Sequence, residues 1–203
     1  MDKKILSIRE YDVLVPYLGN YSSGFHIREI ARKMSMNHRT VLLALNSLEK
    51  QGLVKHETSG RNKVFYLNVE NPRTKDQVRD VESYRLGHML NGNSTIKELY
   101  SSLLSPSISE TPIILFGSYA KGEQDKKSDI DLLLLEKNEK LLEDVNKFEL
   151  KYDIKVHVQI LSQEKIERGL KEKEPLLFEI ASDHIILNNQ DAFVNILWRH
   201  FCE

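Results

Sequence analysis

The chain has 203 residues, 40% hydrophobic and 29% charged, with 29 Lys and Arg against 30 Asp and Glu. That composition fits a globular protein with room for one large or two small domains, and it excludes a low-complexity or fibrous chain. The lone cysteine, Cys202, excludes a disulfide framework and a thiolate metal cluster; no apolar run reaches bilayer length and no signal-peptide core follows Met1, so a cytoplasmic protein without a membrane partner is expected.

The near-zero net charge conceals an uneven distribution. Residues 1–70 hold 11 Lys and Arg against 7 Asp and Glu, and the remainder holds 18 against 23. Between His26 and Lys63 the ratio is 8 basic to 3 acidic, with His26, His38 and His56 in addition. A basic unit joined to an acidic one suits a nucleic-acid-binding module attached to something else.

In chain order, a first helix is predicted over about Ile8 to Leu18. Ile27, Ile30, Ala31 and Met34 fall at helical spacing, as do Val41, Ala44, Leu45 and Leu48. Ser35-Met36-Asn37 breaks the two segments, Asn37 is a good N-cap for the second, and Gln51-Gly52 is a natural stop. Leu53 to His56 and Val64 to Leu67 then read as a hairpin around a polar tip, Thr58 to Asn62. Three helices and a two-stranded hairpin resemble a winged helix-turn-helix domain of the kind found in bacterial and archaeal transcriptional regulators, assigned here to residues 1–70. The resemblance implies a double-stranded DNA partner. His38, Arg39 and Thr40 would face base edges, and Arg61, Asn62 and Lys63 would meet phosphates, with Arg32 and Lys33 nearby. A winged helix used only for protein contact is the competing use; the basic run favours DNA.

Residues 71–105 read as a helical connector. Arg73 to Leu90 is helical with apolar positions at Val78, Val81, Leu86 and Met89, Asn91-Gly92-Asn93 breaks it, and a second helix runs from Ser94-Thr95 to about Leu104, ended by Ser105-Pro106. These helices either join two domains or pair two subunits, and a homodimer is the expectation from two-half-site DNA binding.

Residues 106–203 carry the chemistry. Ile113 to Phe116 is a short apolar strand, Gly117-Ser118 a turn that lets backbone approach a ligand, and the following helical turn offers N–H groups to phosphate. Asp129 and Asp131 lie two apart on a second predicted strand, so both carboxylates share a face. Paired hard oxygen donors suit magnesium held together with substrate phosphates. Two Asp entering an otherwise apolar run, Ile130 and Leu132 to Leu135, are costly to bury unpaired, so a ligand explains them better than chance. Glu139 to Tyr152 reads as a helix and Ile154 to Leu161 as a strand. Pro175 to Ile180 is a short helix, His184 to Leu187 a strand and Ala192 to His200 a helix covering the sheet; His184 and Trp198 read as core or edge residues.

GSYAKG followed by SDIDLLLL resembles the minimal, stand-alone branch of the polymerase beta-like nucleotidyltransferase superfamily. The resemblance implies Gly117 and Ser118 on a nucleoside triphosphate, ATP first among candidates, and Asp129 and Asp131 on magnesium. It implies transfer of a nucleoside monophosphate to a hydroxyl of a small molecule or protein, as in relatives that adenylylate a toxin partner. Lys121 is either a phosphate contact or a surface lysine. In the family the next strand carries a third acidic residue, and the strand pattern puts His157 there instead, with Asp153 on the same face but roughly 13 Å earlier at ~3.3 Å per residue. His157 therefore marks a domain that binds nucleotide without efficient transfer, a replacement base in a working enzyme, or a solvent-facing polar residue. The fold class expected is α+β: a winged helix-turn-helix, then a nucleotidyltransferase-like mixed sheet with helices. The competing function is a transcriptional regulator whose second domain senses nucleotide or is inactive.

Overall fold

The computed structural model describes residues 5–60, 62–103 and 110–203. It is α+β, with two sheets, and divides into two compact units: Met1–Val81 with Phe201–Glu203, and Glu82–His200. The division falls inside one helix, between Val81 and Glu82.

In the first unit, α1 (Ile8–Leu14) opens on a capping box in which Ser7 N–H donates to Glu10 Oε2 at 2.7 Å and Glu10 N–H to Ser7 Oγ at 3.4 Å. The single helix predicted through Leu18 instead tightens into a 3-10 turn at Val15–Tyr17. Pro16 has no N–H to continue the α-helical ladder, and the tighter turn accommodates it. α2 (Ile27–Lys33) and α3 (His38–Lys50) follow, with Asn37 Oδ1 accepting from Thr40 N–H at 2.8 Å as the sequence predicts. Gly52 sits at φ +71°, and the bonds from Gly52 N–H to Glu49 O and from Leu53 N–H to Leu48 O close α3 and turn the chain outward. β2 (Val54–Ser59) and β3 (Asn62–Leu67) pair antiparallel, and the short β1 (Phe25–His26) adds to β3, giving the order β1-β3-β2. Val13, Tyr17, Ile30, Val41, Leu45, Leu48 and Phe65 are buried, and the Tyr17 hydroxyl donates to Phe65 O at 2.9 Å.

α4 (Pro72–Gly92) runs two residues past the predicted end at Leu90, into the predicted break, of which Asn93 serves the next helix: its Oδ1 accepts from Ile96 N–H at 3.0 Å. α5 is Ser94–Leu103, so the predicted end at Leu104 and the Ser105-Pro106 stop lie outside the described residues. The second sheet has the order β6-β5-β4-β7. β4 (Ile113–Phe116) pairs antiparallel with β5 (Ile130–Leu134) and with β7 (Ile185–Asn188), whereas β5 and β6 (Val156–Ile160) are parallel and joined through α7 (Glu139–Tyr152). Every residue of β4 is buried, and β5 is buried except at Asp131, which is half-buried. Central strands covered on both faces read as near-continuous apolar runs, which is why one carboxylate among them stands out. α8 (Gln163–Lys171), α9 (Pro175–Ser182) and α10 (Gln190–Cys202) complete the unit, the last residues of α10 falling in the first one. His184 and Glu82 are both fully buried, with Nε2 and Oε1 at 3.1 Å. Among the described residues no helix is long and apolar enough to cross a membrane.

Candidate active site

The site lies where β4 gives way to α6 (Gly117–Lys121). β4 ends with Phe116 opposite Asp131, so the next residue passes directly over the Asp131 carboxylate. That residue is Gly117, at φ +71°, and a Cβ there would overlap Asp131 Oδ2. Both facts exclude a side chain: the left-handed backbone is costly for other residues, and the space is already taken by a carboxylate oxygen. The turn expected at Gly117-Ser118 is thus the first residue pair of α6 itself, and Gly122 closes the helix in the left-handed conformation.

Asp131 lies in β5, and Asp129 sits just before the strand, not within it as the alternation suggests. Ile130 N–H donates to Lys155 O at 2.9 Å, which aligns the parallel pairing of β5 with β6 and sets Asp131 level with His157. The imidazole lies between the carboxylates, Nε2 at 3.5 Å from Asp129 Oδ2 and Nδ1 at 3.5 Å from Asp131 Oδ1. The sequence therefore predicts the right neighbour: His157 occupies the position beside the Asp pair. His157 is 61% exposed, Asp129 39% and Asp131 28%, so the group opens to solvent on one side. Burial raises the Asp131 pKa above the ordinary carboxylate value; His157 opposes the shift and Asp129 adds to it. Asp153 takes the left-handed cap of α7, before β6 begins.

Lys121 Nζ lies 2.6 Å from Glu179 Oε1 on α9, and this bond raises the lysine pKa. Glu179 is a rim residue that sequence spacing alone does not reveal, since 58 residues separate it from Lys121. Beside Asp129 opens a cleft of ≈ 790 Å³ lined by Tyr119, Ser128, Asp129, Lys127 and Lys155 among others. Burial, with Asp125 and Asp129 adding, raises the Tyr119 pKa.

Two carboxylates, one partly desolvated, beside an open approach suit a hard cation that takes its remaining oxygens from a substrate. Among the described residues no group of three or more His, Cys, Asp or Glu is arranged to hold a metal ion unaided. Asp129 and Asp131 are the residues that fit magnesium; the imidazole of His157 fits it poorly.

Residues 96–187 match the nucleotidyltransferase domain family. The matched segment contains β4, α6, β5, β6 and the residues gathered around Gly117. Two proteins of Methanocaldococcus jannaschii, provisionally named protein adenylyltransferases, are similar to the chain. One is 43% identical over 49 residues, covering 21% of this chain and 50% of the relative. The other is 32% identical over 99 residues, covering 45% of this chain and 64% of the relative. The chain thus spans about half to two thirds of these relatives' lengths. A solved toxin-antitoxin structure with AMP-PNP aligns at 19% identity and TM-score 0.32, covering 51% of this chain and 78% of that one.

In the first unit, His38 and Arg39 are exposed at the start of α3, Thr40 is half-buried beside them, and Asn62 and Lys63 are exposed at the start of β3. Arg61 lies outside the described residues. His38, Arg39, Asn62 and Lys63 line one cleft of ≈ 690 Å³ with His26 and Arg28, so the fold brings the residues from α3 and the hairpin together. Thr40 does not line this cleft; its N–H is held by the Asn37 cap.

Proposed function

We propose that the protein is a magnesium-dependent nucleotidyltransferase that moves AMP from ATP to a hydroxyl of a protein or small molecule, and that residues 1–70 form a winged helix that docks it on double-stranded DNA. The observation that carries the catalytic reading is Gly117 passing over Asp131 with no room for a side chain. A residue without a side chain lets the Gly117-Ser118 backbone lie against the Asp131 carboxylate, so one phosphate could reach both that backbone and a cation held by Asp131. The provisional names of the two relatives support adenylyl transfer to protein over other acceptors.

In this reading Gly117 and Ser118 seat the triphosphate, and Lys121 turns from Glu179 to a phosphate. Asp129 and Asp131 hold magnesium, which when bound neutralises developing charge on the transferred phosphoryl group. The acceptor oxygen attacks the α-phosphorus, the bond to the bridging oxygen of the β-phosphate breaks, and pyrophosphate leaves. The acceptor's proton passes to the His157 imidazole, which lies 3.5 Å from an oxygen of each carboxylate. Residues 71–105 serve as connector and residues 106–203 as the catalytic domain, in a homodimer.

The test is calorimetric titration of the full chain with magnesium and each ribonucleoside triphosphate, followed by an assay for pyrophosphate. Metal-dependent binding with turnover supports the enzyme. Binding without turnover supports the second reading, a DNA-bound nucleotide sensor, which the imidazole at the third position favours. No binding at millimolar nucleotide overturns both. His157→Asp tests the proton acceptor: lower pyrophosphate release is the expected result if the imidazole takes the proton, whereas higher release with tighter magnesium binding would overturn that role and show that a third oxygen donor is what the site lacks.

For DNA, Arg39→Ala is expected to weaken specific binding more than non-specific, by a factor of roughly 5 to 150 at one base position. Lys63→Ala is expected to weaken both alike and to reduce the slope of log affinity against log salt by about 1. Fluorescence anisotropy across a salt series separates the two.

A further inference from the structure

α3 buries Val41, Ala44, Leu45 and Leu48, and its opposite face carries Arg39, Leu42, Leu43 and Asn46, the i, i+3, i+4, i+7 set of one helical stripe. Leu42 is 38% and Leu43 59% exposed. Isolated exposed leucines need no explanation, but these two are adjacent on a helix flanked by cations. Leu42 shares the ≈ 690 Å³ cleft with Arg28, Arg39 and Lys63. The one acid lining that cleft, Glu29, already accepts the His26 N–H at 2.7 Å. An apolar stripe inside a basic rim matches a surface that is anionic at its edges and offers methyl groups between them. The major groove of duplex DNA is such a surface, with phosphates along both walls and the thymine 5-methyl projecting from the floor.

We infer that Leu42 and Leu43 read thymine methyl groups in the major groove, supplying sequence preference through apolar contact in addition to the hydrogen bonds available to Arg39 and Asn46. The inference rests on the DNA-binding reading above and adds to it the chemical feature recognised. The cations set affinity for any sequence, and the two leucines discriminate. A pair of side chains that cannot hydrogen-bond rejects bases whose edges present only polar groups in their place, because those groups would lose water without gaining a partner.

The experiment is selection of bound sequences from a randomised duplex library with the full-length protein, then anisotropy titration of the selected duplex with each thymine replaced in turn by uracil. Uracil differs only by the missing methyl. At one or two positions the replacement should weaken wild-type binding about fourfold, the factor that ~0.8 kcal/mol for one buried methyl corresponds to. In Leu43→Ala or Leu42→Ala the same replacement should cost nothing, while binding to non-selected DNA stays as in wild type. Both leucines are exposed, so the variants should melt with wild type. Uracil tolerated at every position, or a loss that persists in both variants, overturns the methyl contact while leaving DNA binding intact. Failure to enrich any sequence overturns the DNA-binding reading and the inference with it. Variants that change only the oligomeric state in light scattering would overturn the inference and make the stripe a contact between copies of this chain.

Discussion

Asp131→Asn is expected to lower metal-dependent nucleotide transfer by about a thousandfold while leaving the fold intact or slightly more stable. The loss follows from removing the carboxylate nearest Gly117; deleting one preorganised electrostatic partner in a site of this kind costs roughly 10²–10³ in rate, and a metal oxygen donor is lost as well. The stability gain follows from the direction of the Asp131 shift. Burial raises its pKa in the folded chain, so the folded form holds its proton more tightly than the unfolded one. That contribution is fully favourable below the unfolded carboxylate pKa and is lost as pH rises through the folded one; at neutral pH the ionised side chain is a net burden. Asparagine is neutral at every pH and escapes the burden. The wild type should therefore approach the variant in melting temperature as pH falls through the carboxylate range, and separate from it above that range. Nucleotide titration and melting curves on the same samples check both halves. A variant that loses stability would mean that Asp131 is held by partners rather than strained, and the functional assignment would weaken accordingly.

Glu82→Ala is expected to produce the largest loss of stability, about 3–5 kcal/mol, the usual cost of leaving one member of a buried ionisable pair alone. Glu82 and His184 are both 0% exposed. His184 Nδ1 lies 3.0 Å from Ile180 O and 3.1 Å from Ala181 O, so that nitrogen carries its hydrogen and donates. Nε2 lies 3.1 Å from Glu82 Oε1, within hydrogen-bond distance. Removing Glu82 leaves Nε2 without a partner, and His184→Ala leaves the glutamate so. The double variant Glu82→Leu with His184→Phe should recover much of the loss, because an apolar pair needs no partner; single effects that simply add would argue against coupling. Trp198, the only tryptophan, is buried in the same unit and reports its unfolding by fluorescence.

How much of this was legible in the sequence differs by element for physical reasons. α7 matches its predicted bounds, because Asn138 caps it and Leu141, Val145 and Phe148 give it a regular apolar stripe. β4, β5 and the Asp pair were legible from an apolar run interrupted by carboxylates, and His157 from strand alternation that the parallel register confirms. α8 was missed. It is mostly charged, and only Ile166, Gly169 and Leu170 are buried, but Ser162 as N-cap and the Ile166–Leu170 spacing were the available signals. β6 is shorter than its alternation suggests because it lies at the sheet edge, where Ile160 is 39% exposed despite its apolar side chain. Glu179 could not be found by pattern, since its relation to Lys121 exists only in three dimensions. The steric demand at Gly117 was suggested by the motif, but its object, the Asp131 oxygen, became visible only through the register of β4 on β5.

The parallel pairing of β5 with β6 also bears on the order in which the domain assembles. Asp131 and His157 become neighbours only after α7 has docked through Leu141, Val145 and Phe148, since the helix is the connection between their strands. Closing that span costs chain entropy before any contact rewards it, so the crossover belongs to the late part of folding. Asp129 and Asp131 are neighbours along the chain before that step, and what the crossover adds is the imidazole that lies between them. An incompletely folded chain thus lacks the imidazole between the carboxylates, and the proposed site is completed only when the edge strand joins the sheet.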